Sequence, residues 1–209
     1  MFQHTVKRNY TTGFPGDIVR DGPKRAKPGR IASANDFVGG NTNRISRVFG
    51  FKSDQSYVGQ TGQTQTLPAF NYEVTLGGAV FYGVLGHPKH YVLYGGQDGS
   101  LSASYDLPQY FEGEFFDMVT GMVAEVFNLT NAAQSIGYGW KLGYVSTATT
   151  EAQNANGVPL GGLVAWAPGT DAPEGITEIP NSMVTNPVDL AASSPTATVS
   201  AWTIIQLTQ

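Results

Sequence analysis

The chain has 209 residues, of which 41% are hydrophobic and 11% aromatic, enough for one all-β domain with a packed core. Charged residues make up only 13%, 26 glycines argue against long helices, and the absence of cysteine excludes disulfide and thiol chemistry. The net charge of −4 is unevenly divided: residues 1–52 carry +7 and the remainder −11, a basic arm on an acidic body that predicts association with something acidic.

Residues 1–52 read as an extended arm. Gly13-Phe-Pro-Gly16, Gly22-Pro23, Lys27-Pro-Gly29 and Gly39-Gly40 are turn signals, and only Asp17–Val19, Arg30–Ala32 and Ile45–Phe51 suit brief strands. None of this periodicity buries a core alone, so docking onto the body or onto another subunit must order the arm. Its apolar anchors would be Phe14, Ile18, Val19, Ile31, Phe37, Val48, Phe49 and Phe51. On this reading, removing residues 1–30 leaves a folded body. No apolar run reaches membrane-spanning length, and the N-terminus lacks the apolar core of a secretory signal, so the sequons at Asn9 and Asn128 count as coincidence.

The body is residues 53–209. Residues 53–69, rich in Gln, Gly and Thr, predict a surface loop or flap. Phe70 to Leu76 restores alternation, with Phe70, Tyr72, Val74 and Leu76 on one face and Glu73 and Thr75 on the other. Strands follow at Ala79–Leu85 and Tyr91–Tyr94, then a Gly95–Gly99 turn and an alternating Leu101–Tyr105 strand. From Phe116 to Phe127 the even positions Phe116, Met118, Met122, Ala124 and Val126 are apolar while Asp117 and Glu125 sit on the odd face. One face of this strand should enter a core and the other meet water or a partner. Thr130 to Ile136 suggests a short helix capped by Thr130 or Asn131 and ended by Gly137. Trp140–Val145 reads as a strand, residues 151–175 as a long loop around an apolar island at Leu160–Trp166, and Ala197–Leu207 as a final strand with Val199, Ala201, Thr203, Ile205 and Leu207 facing one way. The pattern is an antiparallel β-sandwich or barrel-like body with an extended N-terminal arm and at most short helices.

Catalytic and ligand motifs are weak. His87-Pro-Lys-His90 has two histidines three apart, but Pro88 and extended flanks oppose the helix that would bring them to one face. Glu112 and Glu114 share a strand face; parallel carboxylates do not flank a sugar, so a solvated or interface face explains them better. Gly137–Gly143 lacks phosphate-loop spacing. The Lys24–Arg30 cluster has the charge for nucleic acid, yet only Tyr10, Phe14 and Phe37 lie near it for stacking. No enzyme, metal, cofactor, membrane or specific nucleic-acid partner is expected.

The order of features resembles the cement, or decoration, proteins of tailed-phage capsids. The resemblance rests on Gly13-Phe-Pro-Gly-Asp-Ile-Val-Arg-Asp-Gly-Pro23 with Pro28-Gly-Arg-Ile-Ala32, on Gly83-Val-Leu-Gly-His-Pro-Lys-His-Tyr91, on Leu107–Val126, and on Ile179-Pro-Asn-Ser-Met-Val184 with the Trp202–Leu207 strand. It implies an all-β protein on the outer surface of a phage head, made in the host cytoplasm before assembly. Such a protein bridges adjacent major capsid protein subunits and contacts its own copies. Together with the basic arm it makes Phe14, Arg20, Lys24, Arg25, Lys27, Arg30, Arg44, Arg47 and Phe49 the candidate capsid-interface residues. The uncharged runs Leu101–Tyr105 and Val199–Leu207 leave little charge to keep sheet edges apart, which favours a homo-dimer or homo-trimer on the shell. A carbohydrate-binding β-sandwich module, using the plentiful Tyr and Trp, is the alternative.

Overall fold

The computed structural model describes residues 13–37, 39–52, 56–58, 64–66, 72–87, 106–147, 157–194 and 197–208. All of the regular structure among them is β, with no helix. The fold is organised by one long strand, β7 (Glu112–Phe127). Its composition explains its length: Phe115, Phe116, Val119, Thr120, Val123, Val126 and Phe127 all favour a pleated surface, and proline is absent. At about 3.3 Å per residue it runs roughly 50 Å, long enough to belong to two bodies at once.

Its first half completes a closed ring. β1 (Lys24–Ile31) pairs with β7 antiparallel and with β5 (Glu73–Leu76) in parallel. β5 then pairs with β2 (Val48–Phe51), β2 with β6 (Phe81–Leu85), and β6 returns to β7. Phe116 thus has Ala26 on one side and Val84 on the other. Inside the ring Phe115 packs edge-on to Phe49 at 5.1 Å and to Tyr82 at 5.8 Å, with Ile31, Val74, Leu76, Leu85 and Leu107 around them.

The second half of β7 carries the other layer. β14 (Ser200–Thr208) pairs along it from Met118 to Phe127, and β12 (Ser182–Val184) extends the sheet beyond β14. On the other side, β10 (Leu163–Trp166) joins in parallel, followed by β9 (Lys141–Val145) and β11 (Ile176–Glu178). Between these strands and the ring lies a second core built on Met122, Ala124, Val126, Leu142, Tyr144, Leu163, Ile205 and Leu207. Two small ladders complete the fold: β3 (Ser56–Val58) with β4 (Thr64–Thr66), and β8 (Gln134–Ile136) with β13 (Val188–Leu190).

The all-β expectation and the strands at 81–85, 141–145, 163–166 and 200–208 are present. Other expectations change. The arm does not end at residue 52 as a separate unit: β1 and β2 are strands of the ring, and Ile31, Ile45, Val48 and Phe49 are buried in this chain's own core. Lys27-Pro-Gly29 is no turn. Pro28 lies in β1 where β5 has not yet joined, so its missing N–H costs no ladder bond there. Gly29 is required because a Cβ would stand 2.8 Å from the Phe115 ring. β7 is buried on both faces, since Phe115, Val119 and Val123 face cores as fully as Met122 and Val126 do. The stretch 53–69 contains the β3–β4 pair. Glu73, on the strand face opposite Val74 and Leu76, is buried.

The predicted helix at 130–136 is a turn leading into β8. Asn128 directs it: its Oδ1 accepts from the Thr130 N–H and hydroxyl, both at 2.9 Å, while its Nδ2 donates to the carbonyls of Ala132 and Ala191. A buried asparagine bonding the backbone on both sides competes with helix formation and wins. The predicted segments Tyr91–Tyr94, Gly95–Gly99 and Leu101–Tyr105, and also Phe70 and His90, lie outside the described residues.

Deleting residues 1–30 should therefore unfold the body, in contrast to the expectation from sequence. It removes β1 from both β7 and β5 and uncovers Phe115 and Val74. Loss of the cooperative thermal transition, followed by near-ultraviolet circular dichroism, is the expected outcome; a truncated chain with the parent transition would refute the ring's dependence on β1.

Candidate functional site

β1 places the basic residues of the sequence on the wall and mouth of the ring, and two buried carboxylates hold them there. The register of β1 against β7 shifts between Arg25 and Ala26, which leaves Asp117 as the extra residue at the bulge. Asp117 accepts hydrogen bonds from Arg25 Nε at 2.8 Å and Arg25 Nη2 at 2.7 Å, a bidentate pair, and Lys27 Nζ approaches to 3.1 Å. Glu73 has the same role on the neighbouring strand β5: Lys52 Nζ lies at 2.9 Å and Arg30 Nη2 at 3.7 Å. The Asp117 side chain is 7% exposed and that of Arg25 52%. Each sunken anion thus carries two cations that still reach water, and the charge shown to solvent is positive.

Burial alone would raise the Asp117 carboxyl, but hydrogen bonds and charge from Arg25 and Lys27 outweigh it and hold the group below the ordinary aspartate range. The same pairing raises Arg25.

Aromatic rings line the mouth beneath these cations. Phe51, Tyr72 and Tyr82 form a triangle with centroids 6.2–6.3 Å apart, and Lys27 Nζ sits 4.3 Å over the Tyr82 ring. The Tyr82 hydroxyl donates to the Pro28 carbonyl at 2.6 Å, and burial raises its pKa. Phe51 and Tyr72 remain partly exposed. The three rings are tilted to one another by 37° to 60°, so they offer no flat platform of the kind a sugar ring stacks on. Outside the mouth the Arg30 guanidinium lies 4.9 Å over exposed Tyr110.

A second exposed group forms where residues 14–19 cross the far half of β7. The backbone of this segment bonds to β7 through Gly16 to Val123 and Val19 to Gly121. Arg20 lays its stem over Gly121, where a Cβ would stand 2.7 Å from its Cγ. This crossing sets Phe14, 54% exposed, beside Trp202 of β14, 42% exposed, with ring centroids 6.2 Å apart. Pro15, Arg44, Ile45 and Glu125 line the shallow cleft next to Trp202.

The nine sequence-derived interface candidates thus separate. Phe14, Arg20 and Lys24 are exposed. Arg25, Lys27 and Arg30 are tied into the carboxylate clusters, and the backbone of Arg44 forms an isolated antiparallel bridge with Asp106. Two are corrected. Phe49 is fully buried against Phe115, so it presents no surface to a partner. Arg47 is 4% exposed, packs over the Phe127 ring at 4.8 Å, and is pushed down to about 10 by burial. Among the proposed anchors, Ile31 and Val48 are core as well, while Val19, Phe37 and Phe51 are exposed.

Sequence reasoning missed Trp202, Tyr72, Asp117 and Glu73. For Trp202 a signal existed, since it stands on the even face of a final strand whose odd residues Val199, Ala201, Thr203, Ile205 and Leu207 face the other way. Of the His87–His90 motif only His87 is described, and its N–H bonds to Gly16. No cluster of three or more His, Asp or Glu suited to a metal occurs among the described residues.

The family model described as "Structural cement protein (E217 gp24/Pam3 gp6)" matches residues 2–208. Among solved structures, a chain from the capsid of Myoviridae Phage XM1 aligns over 100% of this chain and 98% of its own, with 8% identity and a TM-score of 0.48. Comparison with curated proteins gives no match.

Asp117 supplies a pH test of the seam. Its folded pKa is depressed, so its stabilisation is fully present above the unfolded value of about 4 and is lost as pH falls through the lower folded value. Asp117→Asn should therefore cost about 1–3 kcal/mol near neutrality, and its gap from the parent should close as pH falls below about 4. Urea denaturation across this range measures it; a gap unchanged by pH would assign the loss to packing instead.

Proposed function

Because the chain belongs to the phage structural cement protein family, we propose that it binds the outer surface of a phage head and bridges adjacent major capsid protein subunits, stabilising the shell. Family membership makes it a structural protein of the virion that associates with capsid proteins. The finer reading adds the outer face, the bridging geometry, a homo-dimer or homo-trimer on the shell, and a soluble stage in host cytoplasm before assembly. The role assigned to it is non-enzymatic.

The observation that carries the reading is the family match over residues 2–208, nearly the whole chain. A specific surface supports it. Phe14 and Trp202 form an exposed aromatic pair with Val19, Arg20 and Arg44 nearby, and aromatic and arginine side chains are the usual anchors of protein interfaces. This patch is built from a backbone crossing bonded to β7, so it is preorganised and loses little freedom on docking. We assign the shell contact to it rather than to the full set of basic residues, most of which are engaged within the chain.

Two measurements test this. Mass spectrometry of purified virions should find the protein in copy number comparable to the major capsid protein, and its absence from particles would count decisively against a cement role. Phe14→Ser/Trp202→Ser should keep the parent melting transition and weaken binding to undecorated heads by on the order of tenfold or more. Undiminished decoration by that variant would move the contact elsewhere.

A further inference from the structure

The ring mouth and the acidic loop 167–175 are complementary surfaces. The mouth presents Arg25 and Lys27 above half-exposed Phe51 and Tyr72, with the Asp117 carboxylate sunk beneath them. The loop, Ala167-Pro-Gly-Thr-Asp-Ala-Pro-Glu-Gly175, joins β10 to β11 at the far edge of the sheet. It is a built turn. The Thr170 hydroxyl donates to the Ala167 carbonyl at 2.7 Å, the Ile176 N–H to the Pro173 carbonyl at 3.1 Å, and Ala172 packs on the core of Phe127, Val145 and Trp166. Pro168, Asp171 and Glu174 are left pointing outward. Other acids of this half are engaged: Glu178 pairs with Lys141 at 3.1 Å, and Asp189 accepts from the Ser135 hydroxyl at 2.6 Å. Asp171 and Glu174 have no partner among the described residues.

We propose that the 167–175 loop of one copy seats in the ring mouth of the next, a head-to-tail contact between copies of this chain. Proline faces of the loop cover Tyr72 and Phe51, and the Asp171 and Glu174 carboxylates meet Arg25 and Lys27. Both partners are preformed, which keeps the ordering cost of the contact low. Charge supplies steering and register, and the desolvated rings supply the affinity. The two surfaces differ, so the contact is heterologous. It closes a ring or extends as a line, and it selects the trimer over an isologous dimer. The inference rests on the self-association proposed above, and it names the residues that make it.

Complementation tests it. One variant, Asp171→Lys/Glu174→Lys, spoils the loop and keeps the mouth; another, Phe51→Ser/Tyr72→Asp, spoils the mouth and keeps the loop, with Tyr72→Asp alone as a milder form should the double variant melt early. By sedimentation at low salt the parent should self-associate, weakening as salt rises. Each variant alone should associate on the order of tenfold more weakly or worse. An equimolar mixture should regain a heterodimer and nothing larger, because only one good interface remains per pair. Variants that associate like the parent, or a mixture that regains nothing, overturn the head-to-tail contact while leaving self-association standing. A parent that stays monomeric at all concentrations removes both. A mouth variant that loses binding to phage heads yet still self-associates assigns the mouth to the shell and overturns the inference.

Discussion

Closure of the ring by β1 is the constraint on which the rest depends. β7 belongs to two bodies, and its first half is stable only with a neighbour on each side. β6 supplies one and β1 the other. Remove β1 and two strand edges open at once, on β7 and on β5, while Phe115 loses the Gly29 backbone that lies against its ring. Ordering a strand costs about 1–2 kcal/mol per residue in backbone entropy, and exposed ion pairs return at most about 1 kcal/mol each. The return comes instead from the dry interior that β1 seals. The Asp117 and Glu73 clusters fix its register, since a slip would leave a buried carboxylate unpaired.

That arrangement explains what the sequence could disclose. Alternation along residues 200–207 and the apolar island at 163–166 report local burial, and local burial is what a pattern records. β7 shows the limit. Phe116, Val119, Met122, Ala124 and Val126 share one core, Phe115 enters another and Val123 is fully buried as well, so the true signal is a continuous apolar run, disguised by Asp117 and Glu125. Asp117 is embedded and Glu125 half-buried, and their partners Arg25, Lys27 and Ser200 come from near the two ends of the chain. Pro28 and Gly29 misled for a related reason. A proline in a strand is tolerated only where no neighbour needs its N–H, and a glycine is demanded where an aromatic ring fills the space of a Cβ; both facts belong to tertiary contacts absent from the local string. Thr130 and Asn131 resembled the start of a helix because the residue types that cap helices also form turns, and Asn128 just before them bonds the turn from both sides.

The candidate site was half legible for the same reason. A net charge of +7 on residues 1–52 suggested an arm waiting for an acidic partner. Much of the acid it meets is in its own chain, at Asp117 and Glu73. Charge imbalance along a sequence measures what must be neutralised and does not say by whom. What survives is the excess: two cations for each sunken carboxylate, raised on a rim of aromatic rings.

The two outward surfaces are also independent of each other. Trp202 stands opposite Glu125 in the β14–β7 ladder, and the mouth opens at Asp117, eight residues earlier on the same strand. At about 3.3 Å per residue that is roughly 26 Å, well beyond a Debye length of about 8 Å at physiological salt. Charge at the mouth therefore has little effect on docking at the Phe14–Trp202 pair. On the proposed reading the protein holds a shell and a like neighbour at once, and this separation lets each contact form without altering the affinity of the other. A single rigid strand, paired on both sides along most of its length, fixes the spacing between them. The same strand that makes β1 indispensable to the fold thus also acts as the ruler between the two surfaces.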